Sequence, residues 1–234
     1  MTKKPLIAAA VALAVLAGSS AAPRAQPESD EAGRVREAAV VFGEIMDAED
    51  NAIPRSLLGK AEGIAIFPGT VRAGFIFGGM RGRGVISART GSGWSAPAFL
   101  TLTGGSFGLQ VGGQAVDLIL VINNRRGLEN FVSNQFKLGA DAAVAAGPVG
   151  RDAQAATDLQ LRAQILSYSR ARGLFAGVTV NGSTVRGDRD ANERFYSQVL
   201  DTRQLLFGTG AASRPAPVAL WLETLDRYTR SGAP

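Results

Sequence analysis

Between Gly63 and Asn123 the chain is a succession of short apolar runs, GIAIF, GFIFGG, GVISAR, AFLTL, FGLQVGG and AVDLILVIN, separated by glycine, proline or asparagine. Runs of this length, rich in β-branched and aromatic residues, read as strands, and the short turns between them favour antiparallel neighbours. The glycines constrain the fold further. Gly74, Gly78, Gly79, Gly104, Gly105, Gly108, Gly112 and Gly113 recur through the strand region itself. Glycine weakens strand pairing and is tolerated where the backbone must bend, bulge or be approached closely. The expectation is a β-rich α+β domain built on a curved, barrel-like antiparallel sheet flanked by helices.

The stretch AGFIFGGMRGRG, Ala73 to Gly84, sharpens the question, since five of its twelve residues are glycine and two are arginine. A loop that cradles a nucleotide phosphate needs a helix after its glycines, and usually a lysine followed by a hydroxyl. Here GGMRGRG runs into VISAR, which reads as a strand, and the Gly59-Lys60 pair is followed by alanine. The stretch is therefore expected to form a tight or bulged hairpin with Arg81 and Arg83 exposed at its tip.

Helices flank this region. From Glu28 to Ala52, Val35, Ala38, Ala39, Phe42, Ile45 and Met46 recur at helical steps, with charged residues elsewhere on the wheel and Asp30 placed to cap the start. Pro54 is expected to open a second short helix through Lys60, and a third is expected over Arg125 to Asn134. FKLGADAAVAAG returns to the strand pattern, and two further strands, about Ala163 to Ser169 and Leu174 to Asn181, flank RARG. The tail reads as a helix around Asn192 to Leu206, a turn at RPAP, and a last helix over Val218 to Tyr228.

The amino terminus has the layout of a secretory leader: Lys3 and Lys4, an apolar stretch from Leu6 to Ala17, then small residues, with cleavage expected after Ala22. The division expected is a leader at 1–22, a linker at 23–30, a domain at 31–210, and a linker with a helix at 211–234. Leu16-Ala17-Gly18-Ser19 looks like a lipoprotein cleavage box, but serine stands where the lipid-bearing cysteine would be. The periplasm is the expected compartment, with the protein peripheral to a membrane and not a lipoprotein. Without cysteine no disulfide forms, and a chain of 234 residues has enough core to fold without one. Without histidine, histidine-based triads and most zinc and copper sites are excluded. Losing Lys3 and Lys4 with the leader would leave 23 basic against 20 acidic residues, too mild an excess to suggest a nucleic-acid partner.

Six fragments, KAEGIAIFP, GFIFGGMRGRGV, GWSAP, GSFGLQVGGQAVDLILVINN, AAGPVGR and YSRARGLFAGVTVNG, follow one another in this order and together resemble the SYLF domain family over roughly Ala32 to Leu206. The resemblance implies a lipid-binding module without established catalytic activity. Eukaryotic members are credited with phosphoinositide binding, aided by a basic patch and an amphipathic amino-terminal segment. Bacterial members are exported single-domain proteins. An exported chain does not meet an actin cytoskeleton, so actin is not expected as a partner, and the lipid expected is an anionic phospholipid of another kind.

The cations in the matched fragments or at predicted turns are Lys60, Arg72, Arg81, Arg83, Arg125, Arg126 and Arg151, the candidate headgroup-binding set. Exposed lysine and arginine near a membrane contribute about 1 kcal/mol each, so several must act together. Phe42, Met46 and Trp94 are the candidate membrane contacts. Asp117, within an apolar run, faces either inward to a partner or outward to solvent. Tyr168, Asn192 and Tyr196 are read as structural. Two alternatives remain: an envelope protein partner with no lipid, and an enzyme using Asp117, Asp141 and Asp152 with Mg²⁺ or Ca²⁺, although these acids lack a ligand spacing. No catalytic residue, metal site or cofactor is assigned.

Overall fold

The computed structural model describes residues 28–48, 52–74, 77–107, 112–133, 135–150, 162–171, 173–208 and 215–230. The expected leader, Arg151 and Asp152 lie outside them. Helix α1 spans Asp30–Asp47, and Ser29, rather than Asp30, is its cap: the Ser29 hydroxyl accepts from Ala32 N at 3.2 Å. Asp30 and Glu31 occupy the first turn, where the helix dipole favours acids. The short α2, Arg55–Leu58, begins directly after Pro54.

Strands β1 (Gly63–Gly74) and β2 (Phe77–Thr90) form a long antiparallel hairpin, to whose far end β3 (Gly93–Trp94) pairs. Strand β4 (Ala98–Phe107) joins the free edge of β2, and β5 (Gly112–Ile122) joins the free edge of β1. Beyond them come β6 (Phe136–Lys137), β7 (Val144–Ala146), β8 (Ile165–Ala171), β9 (Leu174–Gly177) and β10 (Ser183–Gly187), in the order β6-β10-β4-β2-β1-β5-β8-β7, with β9 on β8. The sheet curls into a half-barrel. Register shifts in β1, between Ile66 and Val71 against β2 and between Phe67 and Thr70 against β5, put a bulge in the central strand, where a bulge bends a strand and increases its twist.

The expected β-rich α+β architecture is present, and the differences from expectation are local. One pair, β7 with β8, is parallel, so the sheet is mixed. The stretch after RARG holds two strands, with β10 crossing to pair with β4 and β6. Helix α3 spans Arg125–Phe131, capped by Asn124, whose side chain accepts from Gly127 N at 2.7 Å. The expected single helix from Asn192 to Leu206 is two, α4 (Arg189–Tyr196) and α5 (Thr202–Phe207). Ser197 takes a left-handed conformation at φ 53° that ends the first, and Asp201 with Gln204 forms a capping box that starts the second.

Helix α6, Ala216–Thr229, lies against α1 and supplies the buried Trp221, Leu225 and Tyr228. Polar pairs fix it in place: Trp221 Nε1 donates to Ser87 Oγ at 2.8 Å, and Trp94 Nε1 donates to Thr229 Oγ1 at 2.9 Å. Phe42 meets Tyr228 edge to face at 5.9 Å. Asn192, fully buried on α4, accepts from Phe99 N at 2.8 Å, while Tyr196 donates to Pro97 O at 2.6 Å. The core is thus shared by the central strands and α1, α4 and α6. Among the described residues no helix is long and apolar enough to cross a membrane.

Candidate functional site

The first turns of α1 pass over the β1–β2 hairpin and leave a groove of about 850 Å³ between them. Alternation along β2 shapes its sheet wall: Arg81 and Arg83 point outward and are exposed, while Gly82 between them is buried against Thr70. Val71, half exposed on β1, adjoins them. The helix wall carries Glu28, Asp30 and Glu37. Arg34 also lines the groove, but only 9% of it is exposed; its guanidinium lies 5.4 Å from the Phe99 ring centroid. One of its terminal nitrogens is buried without an acceptor among the described residues. Burial, followed by the nearby charge of Arg83, holds Arg34 below the usual arginine range, although an arginine stays protonated in such a setting.

Two cations of the candidate headgroup set, Arg81 and Arg83, therefore share one groove. They belong to the long β2 strand rather than to the tip of a loop. Lys60 is exposed at the end of α2, away from the groove lining. Arg125 pairs with Glu129 at 3.2 Å and lies 4.2 Å from the Phe207 ring centroid; with exposed Arg126 it starts α3, which also stands outside the groove. Arg72 is half-buried, its Nε 3.3 Å from Met80 Sδ, and burial lowers its pKa. Arg151 lies outside the described residues.

The three candidate membrane contacts are corrected: Phe42, Met46 and Trp94 are 0%, 5% and 6% exposed. The apolar face of α1 is covered by the sheet and α6, and Trp94 lies between Thr229 and Arg89, whose guanidinium sits 4.6 Å from its ring centroid. In this arrangement none of the three offers apolar area to a membrane.

Asp117 is resolved in favour of a partner. It accepts from Gly69 N at 2.9 Å, at a glycine with φ 55°, and forms an ion pair with Arg170 Nη2 at 2.8 Å. Arg170 also bonds Glu44 of α1, so one guanidinium ties β5 and β8 to the helix. Burial lowers the Arg170 pKa and the two carboxylates more than reverse this, leaving it raised. Asp141 accepts from Lys137 N at 2.6 Å within a turn. Among the described residues no three acidic, histidine or cysteine side chains gather as a metal site.

Arg34 is a member of the groove that sequence reading misses, because a charged residue on α1 reads as lying off the apolar stripe. Its spacing to Ala38, Val41 and Ile45 puts it on the buried stripe of α1. Glu31 lies on the same side and is buried against Arg194, with an ion-pair distance of 2.8 Å.

A family described as "Ysc84: Las17-binding protein actin regulator" matches residues 103–228. The human "SH3 domain-containing YSC84-like protein 1" is 35% identical over 182 residues, covering 77% of this chain and 52% of the relative. "Protein YSC84" of Saccharomyces cerevisiae is 35% identical over 185 residues, covering 77% and 39%. "LAS seventeen-binding protein 3" of the same yeast is 35% identical over 194 residues, covering 81% and 41%. The chain spans about half or less of the length of these curated relatives.

Proposed function

The chain belongs to the Ysc84/SYLF family, and from that premise we propose that it is a non-enzymatic module that binds anionic phospholipid at a bacterial envelope membrane. The family description is that of a binding regulator, and none of the relatives above carries an enzyme's name. The observation that carries the reading is the groove: Arg81 and Arg83 are exposed on one strand with no ion-pair partner among the described residues, beside the buried, incompletely satisfied Arg34. Guanidinium forks suit the several oxygens of a phosphate, and a site open to solvent lets a headgroup enter without the fold coming apart. The protein works in the periplasm, peripheral to the membrane. Las17 binding and actin regulation, named for relatives, are not transferred to an exported chain.

Co-sedimentation of the chain with phosphatidylglycerol and phosphatidylcholine vesicles tests this. Binding to the anionic vesicles is expected to be stronger, to fall with salt, and to weaken about fivefold for each of Arg81→Gln and Arg83→Gln. Equal binding to both vesicle types, or a double variant that binds like the parent, would overturn it.

A protein partner at the envelope is the second reading. It is favoured by Leu174, Val199 and Leu220, which are 78%, 81% and 42% exposed and lie outside the groove. Crosslinking in intact cells that retrieves a stoichiometric protein, with no lipid co-purifying, would favour it over the lipid.

A further inference from the structure

Strand register carries the cations of the groove on across the sheet. Arg81 on β2 stands opposite Thr103 on β4, Thr103 opposite Thr184 on β10, and Thr184 opposite Lys137 on β6. In the next row Arg83 stands opposite Thr101, and Thr101 opposite Arg186. Residues directly opposite in antiparallel strands point to the same side, so Arg81, Arg83, Arg186 and Lys137 share one face with three threonines. All four cations are exposed, while the alternate residues Gly82, Leu102, Val185 and Phe136 are buried on the other side. Strands β2, β4, β6 and β10 contain no acidic residue. Among the described residues none of the four cations forms an ion pair, and the neighbour of Arg186 is the neutral Gln135 amide. Two acids beside these strands are held by backbone donors: Asp141 by Lys137 N at 2.6 Å and Asp188 by Ala191 N at 3.1 Å. On the β1 side the face is bordered by α1, which brings Asp30, Arg34 and Glu37 to the groove.

We propose that this sheet face is the surface on which the protein lies against an anionic bilayer, with Arg186 and Lys137 contacting headgroups other than the one held by Arg81 and Arg83. This rests on the reading of the groove as a headgroup site, and it extends that site into a membrane footprint. From β2 to β6 is three strand spacings, about 14 Å. One phosphate does not bridge that span, whereas a plane of separate headgroups meets all four cations at once. The threonine hydroxyls between them can donate to phosphate oxygens without adding charge. A single exposed cation contributes little, so the attraction comes from several acting on one plane. Contact through cations and hydroxyls needs no inserted apolar side chain, which agrees with the burial of Phe42, Met46 and Trp94.

The test uses phosphatidylcholine vesicles doped with phosphatidylglycerol, the parent chain and three double variants, each checked for fold by an unchanged thermal melt. Arg186→Gln/Lys137→Gln is expected to weaken binding about 25-fold, fivefold for each cation. Arg227→Gln/Arg230→Gln removes the same charge from α6, which packs on β3 at the far end of β2, and is expected to stay within about twofold of the parent. If Arg186→Gln/Lys137→Gln binds like the parent while Arg81→Gln/Arg83→Gln loses binding, the footprint is overturned and the groove reading stands. If neither pair weakens binding, the headgroup reading fails as well. An equal loss in the α6 pair would mark the attraction as diffuse charge and overturn the proposal. Soluble glycerol phosphate separates the sources: displacement from the vesicles at matched phosphate concentration assigns a single free headgroup and overturns the footprint, and retained binding supports the bilayer. Unchanged vesicle binding by Arg186→Gln/Lys137→Gln, with weaker retention on a sulfated-polysaccharide column, would assign the face to a soluble polyanion instead.

Discussion

Gly79 and Gly84 lie in the same strand but five residues apart, so on opposite faces, and an alanine should act on them in opposite directions. A Cβ built on Gly79 meets nothing within 4 Å, whereas one on Gly84 falls against the Ile66 carbonyl oxygen and 2.6 Å from Phe67 Cδ1. The Ile66 carbonyl belongs to the central strand, and Phe67 is fully buried, so neither can step aside cheaply. Overfilling a packed site costs about 1–3 kcal/mol, against a gain of about 0.4–1 kcal/mol from a less flexible unfolded chain. Because the obstruction is partly backbone, Gly84→Ala is expected near the upper end, with a net loss of about 2 kcal/mol. That corresponds to a Tm lower by about 4–8 °C for a domain of this size. Gly79→Ala retains only the favourable term and should be neutral or slightly stabilising. Urea titrations followed by tryptophan fluorescence, with calorimetry for Tm, measure both, and an unchanged m-value keeps the comparison to stability alone. Equal midpoints for the two variants would refute the claim that close approach of the backbone requires the glycine at 84.

Asn192→Ala leaves the buried Phe99 N–H without its acceptor and should cost about 1–3 kcal/mol, read from the same titrations. Trp221→Phe keeps most of the buried ring but removes the N–H to Ser87, for a loss of about 1 kcal/mol beyond the change in ring size, measured against Ser87→Ala in a double-mutant cycle. For Glu31, burial pushes the carboxyl pKa up, but the Arg194 hydrogen bond, a backbone hydrogen bond and the charges of Arg194 and Arg34 together outweigh it, and the group ends below its ordinary 4.5. Its contribution is therefore present above pH 4.5 and lost as the pH falls through the lower folded value. Melts across that range should show the gap between the parent and Glu31→Gln closing on acidification; a constant gap would contradict the depressed pKa.

Much of the fold was readable because it follows from local chemistry. The apolar runs between Gly63 and Asn123 could bury side chains only as strands, and the spacing of Val35, Ala38, Phe42 and Ile45 allowed only a helix with one apolar face. Both elements are present. The break at Ser197 was harder to see, because a left-handed serine carries no compositional mark. The parallel β7–β8 pair and the passage of β10 to β4 depend on which edges meet after the chain has collapsed, and propensity does not report that.

The candidate site divides along the same line. Residue order marked Arg81 and Arg83 as exposed cations but put them at a hairpin tip; the length of β2 places them instead on one face of a strand, where alternate positions point the same way. That Arg34 of α1 would join them, beside Asp30 and Glu37 of the same helix, required the helix to cross the hairpin at its first turns. The same crossing buried Phe42 and Met46, whose apolar character fitted a membrane face and a core equally well. The sequence thus set the elements and the charges they carry, because these follow from neighbours a few residues away. Which charges face one another, and which greasy side chains reach solvent, was decided by contacts between segments far apart in the chain.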